Sequence, residues 1–353
     1  MFYTFVTMVG GNPLHDRFGF RYWKDPGVWA GDSSLGRLES FINAVNVAGF
    51  CMGGPENISM IAGEARDPRR TVPRAFKTIL MRLIIFFIGG GLCVGILVPY
   101  NDPALTASSG SYAGTSPYII SMHRLQIPIL PSIVTAVLIT SIISAGNSFT
   151  FNASRSLHAL ALEGHAPKFL RRLNRKGVPY LAVIVVMLLA CLAYLALSSS
   201  SAQVLNWILN FSTATTILNW WIMSITWIRF NSAMEAQGLD RKTFLPNVSK
   251  YQPYAGWWAC GWSFLFIWLQ GYAVFLRGKW NVSTFIFNYC SIALAVVIFA
   301  GWKVIKRSPF YRSKDVDLHS GLQFFDALTE HYRHVRETAP VRLKDKILAK
   351  MFE

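Results

Sequence analysis

Acidic residues are scarce in this sequence: 18 Asp and Glu stand against 34 Lys and Arg in 353 residues, a formal net charge of +16. Charge of either sign is thin, 15% of residues, where a soluble domain carries about a quarter. With 52% hydrophobic residues and 14% aromatics, that shortage argues against disorder and against an ordinary cytosolic enzyme. Cysteine is sparse too. Cys51, Cys93, Cys191, Cys260 and Cys290 form neither a disulfide framework nor a metal-ligand spacing, and read as small apolar residues in a bundle. Excess positive charge suits a nucleic acid or a membrane, so its placement decides. The Lys and Arg lie between long uncharged stretches and do not interleave with aromatics, which excludes a nucleic-acid role.

Those stretches are the dominant feature. Residues 128–151, 179–228, 254–276 and 280–302 hold no charged side chain; 40–62 holds only Glu56, and 78–99 only Arg82. A bilayer-crossing helix needs about 20 apolar residues. The run 179–228 is too long for one crossing and divides at Ser198-Ser199-Ser200-Ser201 into 179–197 and 203–228. Because a bilayer admits only helices and closed barrels, and the runs do not alternate as barrel strands do, seven helical spans are expected. The fold class is all-α, a polytopic membrane helix bundle.

Charge placement then sets orientation. The segments after the first, third and fifth spans, together with the tail 303–353, hold 26 of the 34 Lys and Arg. By the positive-inside rule that face is cytosolic, the tail included, and 11–39 is an extracellular loop. Residues 1–10 open with an apolar run, Phe2–Val9, too short to cross a bilayer. The tail's end, 343–352, is amphipathic with Lys on its polar face. It suits a membrane surface, trafficking factors in the cytosol, or plain solvent.

The first span concentrates the chemistry, in Phe50-Cys51-Met52-Gly53-Gly54-Pro55-Glu56. Paired glycines weaken a helix, and proline removes a donor and clashes with the preceding turn. Backbone freed at membrane depth must line a cavity or be re-bonded by protein, and a broken helix there aims its half-dipoles at bound charges. Glu56 is a functional candidate because a carboxylate at that depth is costly; a capping or structural role is the plainer alternative.

Several motifs in order carry a resemblance. After the broken span come Ala62-Gly63-Glu64, Asp67-Pro68-Arg69-Arg70 and Val72-Pro73-Arg74-Ala75; then Ser144-Ala145-Gly146-Asn147-Ser148, Glu163-Gly164-His165-Ala166-Pro167 and Asn219-Trp220-Trp221-Ile222. This series resembles the second half of fungal amino acid permeases of the amino acid–polyamine–organocation superfamily. Resemblance implies an inverted-repeat fold of twelve helices, so that the seven spans would be helices six to twelve, 1–10 the end of helix five, and the chain a fragment holding half a site. It further implies amino acid import at the plasma membrane, no cofactor, and a proton gradient as driving force.

The same resemblance suggests roles. Carbonyls at Phe50, Cys51 and Met52 would face a substrate ammonium, with Gly53 and Gly54 forming the unwound segment. The family often has Thr where Pro55 stands, which bears on substrate range. Glu56 would carry the proton, since desolvation favours the neutral carboxyl. Ser144, Asn147 and Ser148 would form a polar wall, although such small residues equally suit close helix packing. Trp220 would gate the site or serve as packing. An interfacial helix is expected near Arg155–Leu173. A non-transporting nutrient sensor of the same family, or a carrier of carnitine or polyamines, is the alternative; a seven-helix G-protein-coupled receptor is excluded by the position of the helix break and by the missing receptor motifs.

Overall fold

The computed structural model describes residues 1–29, 33–51, 53–62, 65, 67–106, 116–197, 201–276 and 278–338. Helix makes up 72% of the structure, and the described residues include no strand. Apolar runs fold this way because each helix satisfies its own backbone donors and acceptors where water is absent.

Helix α1 is Phe2–Met8, α2 Ser34–Cys51 and α3 Asn57–Ile61. Helix α4 runs Pro68–Leu97, with Ile84–Ile88 widened into a π turn just before Gly89. There follow α5 (Pro117–Arg124), α6 (Leu130–Leu162), α7 (Tyr180–Ala190), α8 (Ser201–Ala236), α9 (Tyr254–Leu269), α10 (Val282–Lys306) and α11 (Leu322–Thr338). Among the described residues α4, α6 and α10 are long and apolar enough to cross a membrane.

The helices depart from the expected limits in instructive ways. The interfacial helix expected near Arg155–Leu173 is not a separate element: α6 continues through Arg155 to Leu162. Nothing between Phe151 and Arg155 breaks a helix, and the Ser154 and Ser156 hydroxyls bond back to the carbonyls of Phe151 and Asn152. Its 33 residues extend about 50 Å, beyond a hydrocarbon core of about 30 Å. The helix stops at Gly164, whose φ of +86° suits a residue without a side chain. Helix α8 likewise outruns its expected end at 228, reaching Ala236. The serine run that divides 179–228 falls at 198–200 outside the described residues, as does the tail end 343–352.

The chain forms two compact units, Met1–Ser40 with Thr78–Leu192, and Phe41–Lys77 with Ala193–Glu353. In the first, Phe18, Ile96, Leu97, Val98 and Leu125 form a core against which Tyr3, Met8 and Tyr118 pack. Trp23 Nε1 donates to the Gly95 carbonyl at 3.1 Å, an approach that the bare Gly95 backbone permits. Elsewhere in this unit Ala161, Leu170 and Ala182 cluster, and Arg171 Nε donates to the Ala161 carbonyl.

In the second unit α8 packs on α9 and α10 around Ile217, Leu218 and Ile267, with Trp221, Phe266 and Ile292 closing the cluster. Small residues bring the backbones close: Gly256 lies against the Trp227 ring and Gly271 against Tyr289. Farther along α8, Ala233 and Met234 pack on Leu318, and Gln237 Nε2 donates to the Val316 carbonyl at 2.7 Å, strapping the segment after α10 to α8. Arg69 pairs with Asp326 of α11 at 2.5 Å.

Candidate functional site

Helix α2 ends at Cys51 and α3 begins at Asn57. Between them Gly53 and Gly54 leave helical geometry, and Gly54 takes φ +128°. A Cβ on Gly54 would meet open space, its nearest neighbour Asn57 Nδ2 at 4.0 Å, so backbone conformation and not crowding calls for glycine. Pro55 and Glu56 then turn the chain: Asn57 N–H donates to the Gly54 carbonyl at 2.9 Å and Ser59 N–H to that of Glu56 at 3.0 Å, which starts α3.

The break frees backbone donors, and one of them is answered by a side chain. The half-buried Glu56 accepts the Gly54 N–H at Oε2, 3.1 Å away. Met52 lies outside the described residues, as do Gly63, Glu64 and the side chains of Phe50 and Cys51.

Just before the break, Val45, Asn46, Ala48 and Gly49 of α2 form one wall of a cavity of about 360 Å³. Ile217 and Trp220 of α8 and Trp262 and Ser263 of α9 form the others. Trp220, singled out in the sequence, thus stands across the cavity from the helix that leads into Gly53-Gly54. The wall is mostly apolar, with Asn46 and Ser263 as its polar side chains.

A second cavity, about 420 Å³, adjoins the other side of Asn46. Its lining is rich in carboxamides: Asn43, Asn46, Asn210, Gln270 and Asn288. Asn46 Nδ2 donates to the Gln270 carbonyl at 3.4 Å, and Gln270 Nε2 to that of Asn210 at 2.9 Å. The buried Oδ1 of Asn46 has no hydrogen-bond partner among the described residues. These carboxamides were missed in the sequence reading. Their signal was available: Asn43 and Asn46 sit three apart, on one face of a span that is otherwise largely apolar.

Ser144, Asn147 and Ser148 belong to the first unit, on α6, where all three are exposed. The spacing of Ser144 and Ser148 puts them on one helix face, as expected for a wall. Phe50–Glu56 and Trp220 belong to the second unit.

A broken helix beside a cavity, in a chain with long apolar helices, suits a protein embedded in a bilayer. The family described as amino acid permease matches residues 1–314. The chain belongs to the amino acid permease family. It is 40% identical to the general amino acid permease AGP2 of Saccharomyces cerevisiae, over 96% of this chain and 58% of that one. It is 35% identical to the dicarboxylic amino acid permease of the same yeast, over 96% of this chain and 57% of that one. With the proline-specific permease of Emericella nidulans it shares 37% identity, over 92% of this chain and 60% of the other. The chain spans just under three fifths to three fifths of the length of these relatives. Family membership and the apolar helices make it a multi-pass membrane protein, a permease-family chain and not an enzyme.

Proposed function

We propose that the whole permease to which these residues belong imports amino acids across the plasma membrane by alternating access, drawing on the proton gradient and no cofactor, with this chain supplying half of the substrate site. The observation that carries the reading is the interrupted helix, where Gly54 at φ +128° and Glu56 lie at the end of a helix that walls a cavity also lined by Trp220. In this reading the carbonyls at Phe50, Cys51 and Met52 with the Gly53-Gly54 backbone receive the substrate ammonium. Ser144, Asn147 and Ser148 supply a polar wall, and Trp220 gates. Glu56 takes up a proton on one side and releases it on the other, breaking and remaking its bond to the Gly54 amide as it does so. In this reading the chain contributes seven spans of an inverted-repeat fold, without the first repeat and with the tail in the cytosol, an arrangement that the charge distribution supports. The relatives' names supply the first substrates to try: proline and the acidic amino acids.

Uptake of labelled proline and glutamate, measured with and without an imposed pH gradient, tests this. The whole permease should show gradient-driven uptake, its Glu56→Gln variant only equilibration, and this chain expressed alone no uptake; robust uptake by the chain alone would overturn the half-site reading. Unchanged gradient dependence in Glu56→Gln would remove Glu56 as the carrier, and binding without uptake in the whole permease would favour a sensor.

A further inference from the structure

A third cavity, about 830 Å³, opens in the second unit between the end of α8 and the start of α9. Arg241, Lys242 and Lys250 contribute to its lining, beside the neutral Asn247, Ser249 and Gln252. Two carboxylates are present as well, and both are engaged: Glu235 Oε1 accepts from Asn231 Nδ2 at 2.7 Å, and Asp240 Oδ1 from the Lys242 backbone N–H at 3.3 Å. Arg241 uses one of its five N–H donors on Asn231 Oδ1, at 3.0 Å. Lys242 and Lys250 are exposed, and among the described residues neither ammonium group has an ion pair.

The residues that follow fix the depth of this cavity. Tyr251, Tyr254, Trp257 and Trp258 are 78, 80, 62 and 69% exposed. Positions 254, 257 and 258 share one face of α9. Exposed Tyr and Trp on an apolar helix mark the membrane–water boundary, with the ring among the lipid tails and the polar tip among the headgroups. The belt continues on α10, where Lys306 lies 5.6 Å from the Trp302 ring centroid. A basic cavity directly before such a belt lies at the level of the lipid phosphates, where juxtamembrane Lys and Arg draw anionic headgroups.

We infer that this cavity binds the phosphomonoester headgroup of an anionic inner-leaflet lipid, with Lys242 and Lys250 as the phosphate ligands and Tyr254, Trp257 and Trp258 flanking the acyl chains. The inference rests on the proposed cytosolic placement of the 229–253 segment.

Native mass spectrometry of the purified protein tests it, with a phosphatidylinositol monophosphate, phosphatidylcholine and inorganic phosphate as separate probes. Lys242→Gln/Lys250→Gln should lose phosphoinositide occupancy about tenfold or more, as removal of two headgroup cations requires. Lys242→Arg/Lys250→Arg should keep it, and so should Arg312→Gln/Lys314→Gln, which alters basic residues outside the cavity. Occupancy within twofold of wild type in the Gln variant overturns the site, as does equal retention of phosphatidylcholine. Binding of inorganic phosphate alone at comparable affinity would make it a soluble-anion site and overturn the lipid assignment. Placement is read separately, by labelling Ser249→Cys with a membrane-impermeant maleimide. Labelling only after permeabilisation is expected; labelling of intact cells would overturn the inner-leaflet assignment together with the topology beneath it.

Discussion

The carboxylate of Glu56 folds back on the amide of Gly54, two residues earlier, at 3.1 Å. One side chain thereby caps the backbone that its own helix break leaves open. The pair ties a structural duty to a residue proposed to carry a proton, and substitution can separate the two. A glutamine at 56 keeps an oxygen for the Gly54 N–H, whereas alanine leaves that donor without it. Glu56→Ala is expected to cost about 1–3 kcal/mol and Glu56→Gln under about 1 kcal/mol, in thermal unfolding of the purified protein. Equal losses in both would mean that the charge, and not the bond, holds the turn.

Gly54 is the next test of the break. At φ +128° an alanine is strained although nothing crowds its Cβ, so Gly54→Ala should destabilise by about 1–3 kcal/mol. Gly53, which carries no positive φ, should tolerate alanine with a smaller loss. Differential scanning fluorimetry in detergent reads both. A Gly53→Ala loss as large as that of Gly54→Ala would show that something other than backbone strain is responsible.

Much of this was legible in the sequence, for reasons that differ by element. The break at Gly53-Gly54-Pro55-Glu56 was legible because glycine and proline act locally, on the backbone that carries them. Trp220 beside a cavity was legible only through resemblance, since a tryptophan in an apolar span looks the same whether it packs or gates. The continuation of α6 through Arg155 was misjudged because charge marks where a membrane ends, while helices end only where a residue such as Gly164 stops them. The carboxamide cavity depends on Asn43 and Asn46 meeting Gln270, a pairing more than 200 residues apart that no local pattern encodes.

Close packing of α8 on α9 gives a sharper stability test. A Cβ at Gly256 would fall within the Trp227 ring, whereas one at Gly261, on the same helix, meets nothing within 4 Å. Gly256→Ala is therefore expected to lower stability by about 1–3 kcal/mol through overpacking. Gly261→Ala should be neutral or slightly stabilising, because alanine is the better helix former. Matched unfolding curves of the two variants settle it, and a neutral Gly256→Ala would mean that the Trp227 indole swings away freely.

In the first unit, Arg124 holds a buried acid. Asp102 is only 5% exposed; its Oδ2 pairs with Arg124 Nη2, and its Oδ1 accepts the Ala104 N–H at 2.9 Å. Arg124 also donates from Nη1 to the Tyr22 hydroxyl at 3.1 Å. Arg124→Ala leaves Asp102 buried without its cation and should cost about 1–3 kcal/mol, less than a fully buried pair because Arg124 is partly exposed. Arg124→Lys should recover only part, since a lysine lacks the fork that reaches both partners. Recovery to wild-type stability in the lysine variant would show that charge alone matters there.

The pH dependence to look for lies outside the membrane, at Asp317. Its carboxylate accepts the Ser320 hydroxyl at Oδ2 and, at Oδ1, the backbone N–H groups of Ser320 at 2.9 Å and His319 at 3.0 Å. These bonds favour the charged form and hold its pKa below the usual 3.8, the Ser320 side chain acting most strongly. A carboxyl whose pKa is lower folded than unfolded binds fewer protons in the folded state, so stability from it is present above the unfolded value and fades as pH falls through the folded one. The turn at 317–320, which leads into α11, should therefore stay closed down to the acid end of the carboxylate range and open below it. Carboxyl-carbon NMR of the Asp-labelled protein should give Asp317 a midpoint below the usual carboxylate value, and Ser320→Ala should move it upward. An Asp317 midpoint unchanged by Ser320→Ala would mean that the backbone amides alone hold the charge.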